Sequence, residues 1–133
     1  MTGSEAVFDS WAWWEVMVGS RRGLRLRKRY LRNPGMRVHT STLAVGEIVA
    51  RFLSAGDADH AQRAGPLIQG ASQVHPVKLS HATDGARIRQ ELRRVNPRAS
   101  LADGIMSALA AELNASLISG DTAFSAAKGA KSV

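Results

Sequence analysis

The chain has 133 residues, 44% hydrophobic and 22% charged, which suits one soluble globular domain spanning residues 1–133 with a core of its own. It contains no cysteine, which excludes disulfides, thiolate zinc sites and cysteine nucleophiles, and no run approaches the roughly 20 apolar residues that cross a bilayer. Eighteen Lys+Arg against eleven Asp+Glu leave a formal charge of +7, crowded into "RRGLRLRKRYLR" at 21–32, so a polyanionic partner is favoured, nucleic acid first.

The N-terminal stretch "MTGSEAVFDS" has no basic region followed by an apolar one, so neither export nor a membrane is expected, and a cytoplasmic home is. In chain order, "EAVFDS" reads as a short strand ending at Asp9. "WAWWEVMVGS" has helical length and a C-cap at Gly19. The basic stretch, with Leu24, Leu26, Tyr30 and Leu31 as its apolar residues, is a second helix closed by "NPG" at 33–35. "MRVHTS" is a second strand. Thr40, Ser41 and Thr42 offer N-caps for a helix to about Ser54, and a further helix starts near Asp57. A strand is expected around residues 74–79, locally broken by Pro76, then a helix over "HATDGARIRQELRRV" and a loop at "NPRA". Residues 99–124, "ASLADGIMSALAAELNASLISGDTAF", carry a last full helix, a strand and a new helix start, and "KSV" is an edge strand. Strands alternating with helices predict the α/β class: a three-layer α/β/α arrangement around a mostly parallel sheet of four to five short strands.

Four carboxylates stand out, although each has an ordinary explanation. Asp9 and Asp121 suit N-caps directly after strands, Asp103 completes an S-x-x-D capping box with Ser100, and Glu47 is spaced for an ion pair with Arg51. Their distribution argues for more. Asp9 and Asp121 follow strands, while Glu47 and Asp103 lie in the opening turns of helices, and a parallel sheet gathers such positions on the edge where ligands bind. Carboxylates packed together raise one another's pKa, so the group calls for a divalent cation, and an all-oxygen set favours Mg²⁺ or Mn²⁺ over zinc. On the helical wheel Asp103 has Ser107, Ala110 and Asn114 as neighbours, small or polar side chains that leave room for a cleft.

With these residues in view, "VFDSWAWWEVMVGSRRG", "VHTSTLAVGEIVARF" and "SLADGIMSALAAELNASLISGDTAF" together resemble the PIN-domain nucleases, most of all the VapC-type toxin ribonucleases of toxin–antitoxin pairs. The resemblance runs from about residue 6 to 133 and is one of pattern only over 55–95. It implies a catalytic and metal-binding quartet of Asp9, Glu47, Asp103 and Asp121, supported by the hydroxyls of Ser10 and Ser119, holding Mg²⁺ or Mn²⁺ and cleaving RNA. It also implies a small antitoxin partner and a homodimer. Arg21, Arg22 and Arg25 are the first candidates for RNA phosphates. The chain departs from the family pattern at Ser119, where Thr is common, at Gly104, where Ala is commoner, and at Ala123, where some relatives are acidic or polar.

Two further readings of function stand beside this one: a PIN nuclease in ribosomal or transfer RNA maturation, and a non-catalytic nucleic-acid-binding module whose carboxylates are only caps. His39, His60, His75 and His81 form no helical H-x-x-x-H pair and there is no G-x-S-x-G elbow, so the histidines are expected to be structural or on the surface. Of the tryptophans, Trp11 and Trp14 are expected to share a buried face, with Trp13 pointing elsewhere.

Overall fold

The computed structural model describes residues 4–120 and 130–132. Five strands, β1 (Glu5–Phe8), β2 (Arg37–Ser41), β3 (Gln73–His75), β4 (Ser116–Ser119) and β5 (Ala130–Ser132), form one sheet in the order β3-β2-β1-β4-β5. Every pairing is parallel, as strand–helix alternation requires. The helices are α1 (Ser10–Val18), α2 (Arg21–Leu26), α3 (Thr42–Ser54), α4 (Ala58–Ala71), α5 (Leu79–Leu92) and α6 (Leu101–Glu112), with α2 continuing into a π-helical segment at Arg27–Leu31. The α/β class and its three layers are as expected. Among the described residues no helix is long and apolar enough to cross a membrane.

Alternation along the strands divides the core. Ala6 and Phe8 of β1, Val38 of β2 and Ile118 of β4 pack with α1 to α4, while Val7 and Leu117 face the opposite layer of α5 and α6. With both faces covered, the central strands read as continuous apolar runs, "AVF" and "LI".

Local signals set most boundaries. Gly19 closes α1 in the left-handed region, φ 72°, where a glycine has no Cβ to strain, and its N–H and that of Ser20 return to the Glu15 and Val16 carbonyls of the last turn. Asp57 caps α4 through the His60 N–H at 3.0 Å. The third strand is shorter than expected, only Gln73–His75, because Pro76 has no N–H to continue the ladder. The histidines are structural: His39 bonds Glu5 at 2.7 Å and His75 at 2.9 Å, His60 bonds Asp57, and His81 bonds Glu112 at 2.8 Å.

Trp11 and Trp14 share a partly buried face, as expected, but Trp13 does not point away from the core. Trp13 is the enclosed one: its ring packs on Phe8 with centroids 5.1 Å apart, and its indole N–H donates to Thr40 Oγ1 at 3.1 Å. At 100° per residue, Ala12, Trp13 and Val16 share the face of α1 that lies on the sheet, which puts Trp11 and Trp14 on the other side. There Trp11 lies across Gly120, so closely that a Cβ on that glycine would overlap the indole, and Trp14 stacks on Phe52.

Candidate active site

The strand order reverses between β1 and β4. From β1 the chain winds outward through β2 to β3, then crosses to β4 on the other side, which opens a crevice beyond the C-terminal ends of β1 and β4. Asp9 stands there, immediately after β1. It is the N-cap of α1, its Oδ1 accepting the Ala12 N–H at 2.9 Å. Ser119, the last residue of β4 and itself buried, hydrogen-bonds the same carboxylate.

Two more acids reach this point. Asp103 opens α6 in the reciprocal cap foreseen from S-x-x-D: Ser100 Oγ accepts the Asp103 N–H at 3.1 Å, and Asp103 Oδ2 accepts the Ser100 N–H at 2.9 Å. The cap fixes the carboxylate's rotamer. Glu47 projects from the second turn of α3; the nearby Ser10 hydroxyl favours its charged form, while Oε1 is buried with no hydrogen-bond partner among the described residues. The ion pair with Arg51 that the spacing suggested is not formed: the Arg51 guanidinium lies 3.9 Å from the Trp14 ring centroid.

The electrostatics show that Asp9, Glu47 and Asp103 feel one another. Asp9 is only 5% exposed, and burial pushes its pKa from 3.8 up to about 7. The Asp103 and Glu47 carboxylates push the same way, while the Ala12 N–H and the Ser119 hydroxyl pull it back. Glu47 is raised chiefly by burial, with Asp103 adding to it and the Ser10 hydroxyl opposing. An orphaned buried carboxylate oxygen beside a desolvated aspartate is a donor set of hard oxygens short of positive charge, and this chemistry fits a hard divalent cation. Among the described residues, no three His, Asp or Glu side chains are by themselves arranged to hold an ion. Asp121, the fourth expected carboxylate, lies outside the described residues.

Arg21, Arg22 and Arg25 are exposed on α2. Among the described residues, none of these three arginines forms an ion pair with Asp9, Glu47 or Asp103. Ser107, one turn beyond Asp103, appeared in the sequence only as a small neighbour; its buried Oγ has no partner among the described residues. Its signal was a hydroxyl at i+4 from an acid. Gly104 also acquires a reason. A Cβ there would overlap the Gly85 carbonyl oxygen where α5 and α6 cross, so alanine does not fit beside Asp103 in this chain.

No curated protein matches the chain in sequence. Solved structures do match its fold. A toxin–antitoxin complex from Klebsiella pneumoniae superposes with a TM-score of 0.74 at 18% identity, covering 96% of this chain and 96% of that one. A sarcin–ricin-loop-cleaving VapC toxin from Mycobacterium tuberculosis gives 0.72 at 20% identity, covering 93% and 95%. A DNA-bound VapBC from Salmonella typhimurium gives 0.70 at 14% identity, covering 97% and 96%. The PIN-domain profile matches residues 6–130, nearly the whole chain and all three described acids, and with the parallel sheet and the acid-bearing crevice at its reversal point, the chain belongs to the PIN-domain family.

Proposed function

We propose that this single-domain PIN protein is an endoribonuclease dependent on Mg²⁺ or Mn²⁺, and the toxin of a type II toxin–antitoxin pair. The observation that carries the reading is the Asp9 carboxylate, 5% exposed at the strand-order reversal with the charges of Asp103 and Glu47 pressing on it. A fold has no use for such a cluster without a cation. The toxin role is supported by the neighbours in fold, several of which are toxin–antitoxin complexes.

In this reading Asp9, Glu47, Asp103 and Asp121 hold the metal. When bound, it neutralises the scissile phosphate, lowers the pKa of an attacking water and stabilises the leaving oxygen. Ser119 and Ser10 stand beside Asp9 and Glu47 and favour their charged, metal-binding forms. The Ala12 N–H fixes one oxygen of Asp9, and the Ser100 cap fixes Asp103, so two carboxylates from opposite layers of the fold present a preset geometry. A small antitoxin and a second copy of the chain are the proposed protein partners.

The test is cleavage of a panel of structured RNAs with Mg²⁺ or Mn²⁺, comparing the wild type with Asp9→Asn and Asp103→Asn and with an EDTA control. Metal-dependent cutting that both substitutions remove supports the reading. Equal cutting by all three proteins overturns it by placing the activity in a contaminating nuclease, and no cutting by the wild type together with no Mn²⁺ binding overturns it in favour of a binding module.

Arg21, Arg22 and Arg25 would grip RNA phosphates. Replacing all three with Gln is expected to weaken RNA binding and to reduce the slope of log K against log salt by about 2, at roughly 0.7 per phosphate contact on single strands. An unchanged slope would assign the RNA to another surface.

A further inference from the structure

Glu47 and Arg51 occupy i and i+4 of α3, with the acid N-terminal, the arrangement in which a helical Glu–Arg ion pair forms most readily. Among the described residues Glu47 Oε1 is nonetheless buried without a partner, and Arg51 lies over the indole of Trp14, its guanidinium carbon 3.9 Å from the ring centroid. The indole is held in place for it. Trp14 stacks on Phe52 with centroids 4.6 Å apart and planes at 25°, Phe52 stacks on His60 at 4.9 Å and 15°, and His60 is tied to Asp57 at 2.7 Å. Phe52 is fully buried, so the column of rings is anchored in the core and offers the guanidinium a flat face that needs no ordering. The ring face holds Arg51 by a cation–π contact that exists only because the column of rings behind it is already ordered.

We propose that Trp14 is a positioning residue for the metal site: by holding Arg51 on its indole, it keeps a competing cation off the Glu47 carboxylate one helical turn away. A guanidinium paired with Glu47 would have to be displaced before that carboxylate reached a metal ion. Trp14 thus keeps a ligand free without touching it. The inference rests on the reading of Glu47 as a metal ligand and adds to it the reason why the nearest arginine does not quench it.

The test is Mn²⁺ affinity of the full chain, measured by calorimetry and by the electron paramagnetic resonance of free Mn²⁺, with no RNA present. Trp14→Leu, which keeps apolar bulk but has no ring face, is expected to weaken Mn²⁺ binding about fivefold to tenfold, a coupling ordinary for neighbouring groups in one network. Arg51→Gln alone should change it by less than about twofold, and Trp14→Leu/Arg51→Gln should return to within about twofold of the wild type. A loss that persists in the double variant, or a gain from Arg51→Gln that is equal in both backgrounds, overturns the proposal. Should Trp14→Leu fail to fold, the wild-type protein decides: the Arg51 Nε–H resonance is expected to be shifted upfield by the indole ring current and to stay there through a Mg²⁺ titration, and an unshifted resonance overturns the proposal. Glu47→Gln separates the two levels. If it leaves Mn²⁺ affinity intact, the ligand reading itself fails, whereas a loss in Glu47→Gln without coupling between Trp14 and Arg51 defeats this inference alone.

Discussion

Asp9→Asn is expected to reduce RNA cleavage by more than roughly 100-fold, the upper end of what losing even a ligand's supporting partner costs, and at the same time to make the protein more stable at pH 8. The two effects have one cause. Burial raises Asp9 from 3.8 to about 7, so between those values the folded protein holds a proton that the unfolded chain has released. Stability from this group is therefore greatest at low pH, declines as pH rises from about 4 to about 7, and stays at its reduced level above that. Asparagine keeps the acceptor for the Ala12 N–H and the shape of the cap but carries no charge. The melting temperature at pH 8 should rise by roughly 5 °C or more, since about 1 kcal/mol moves a domain of this size by several degrees, and the gain should shrink towards pH 4. Mn²⁺ should raise the melting temperature of the wild type at pH 8, because it binds only the folded site, and leave Asp9→Asn nearly unmoved. Equal melting of both proteins at pH 8 would mean that Asp9 is solvated and that the site carries no stored repulsion.

Gly104→Ala carries the largest expected loss of stability. The α5–α6 crossing is built on two glycines: a Cβ on Gly104 would overlap the Gly85 carbonyl oxygen, and one on Gly85 would come within 2.8 Å of the Ile105 backbone and Cγ1. Backbone on backbone cannot yield as a flexible side chain does. Overpacking of this kind costs about 1–3 kcal/mol, more than the roughly 1 kcal/mol that alanine gains over glycine in a helix, and separating the helices also strips contacts from Met106, Leu109 and Leu92. A fall in melting temperature of about 5–10 °C is expected for Gly104→Ala. The control is Gly70→Ala in α4, where nothing lies within 4 Å and alanine should be neutral or stabilising. Because Asp103 immediately precedes Gly104, moving α6 also moves a carboxylate of the site, so Mn²⁺ affinity should fall with stability in Gly104→Ala and not in Gly70→Ala. Melting curves that rank the two alanines alike would show that the helices separate without cost.

Much of this was legible before any coordinates. The order of strands and helices follows from apolar periodicity, and the caps at Asp9, Asp57 and Ser100 follow from residues whose partners lie three positions away. Such signals survive in the sequence because their physics is local. Asp9, Glu47 and Asp103 were also nameable, since a parallel sheet gathers strand ends and helix starts on one edge whatever the side chains do. Tertiary structure alone decided the rest. The orientation of α1 enclosed Trp13 and left Trp11 and Trp14 on the far side, the approach of α3 to α1 gave Arg51 an indole in place of Glu47, and the crossing of α5 and α6 required glycine beside Asp103. The raised pKa of Asp9 belongs here too, because desolvation depends on everything that packs around a group, and those neighbours, Ser119, Asp103 and Glu47, come from distant parts of the chain.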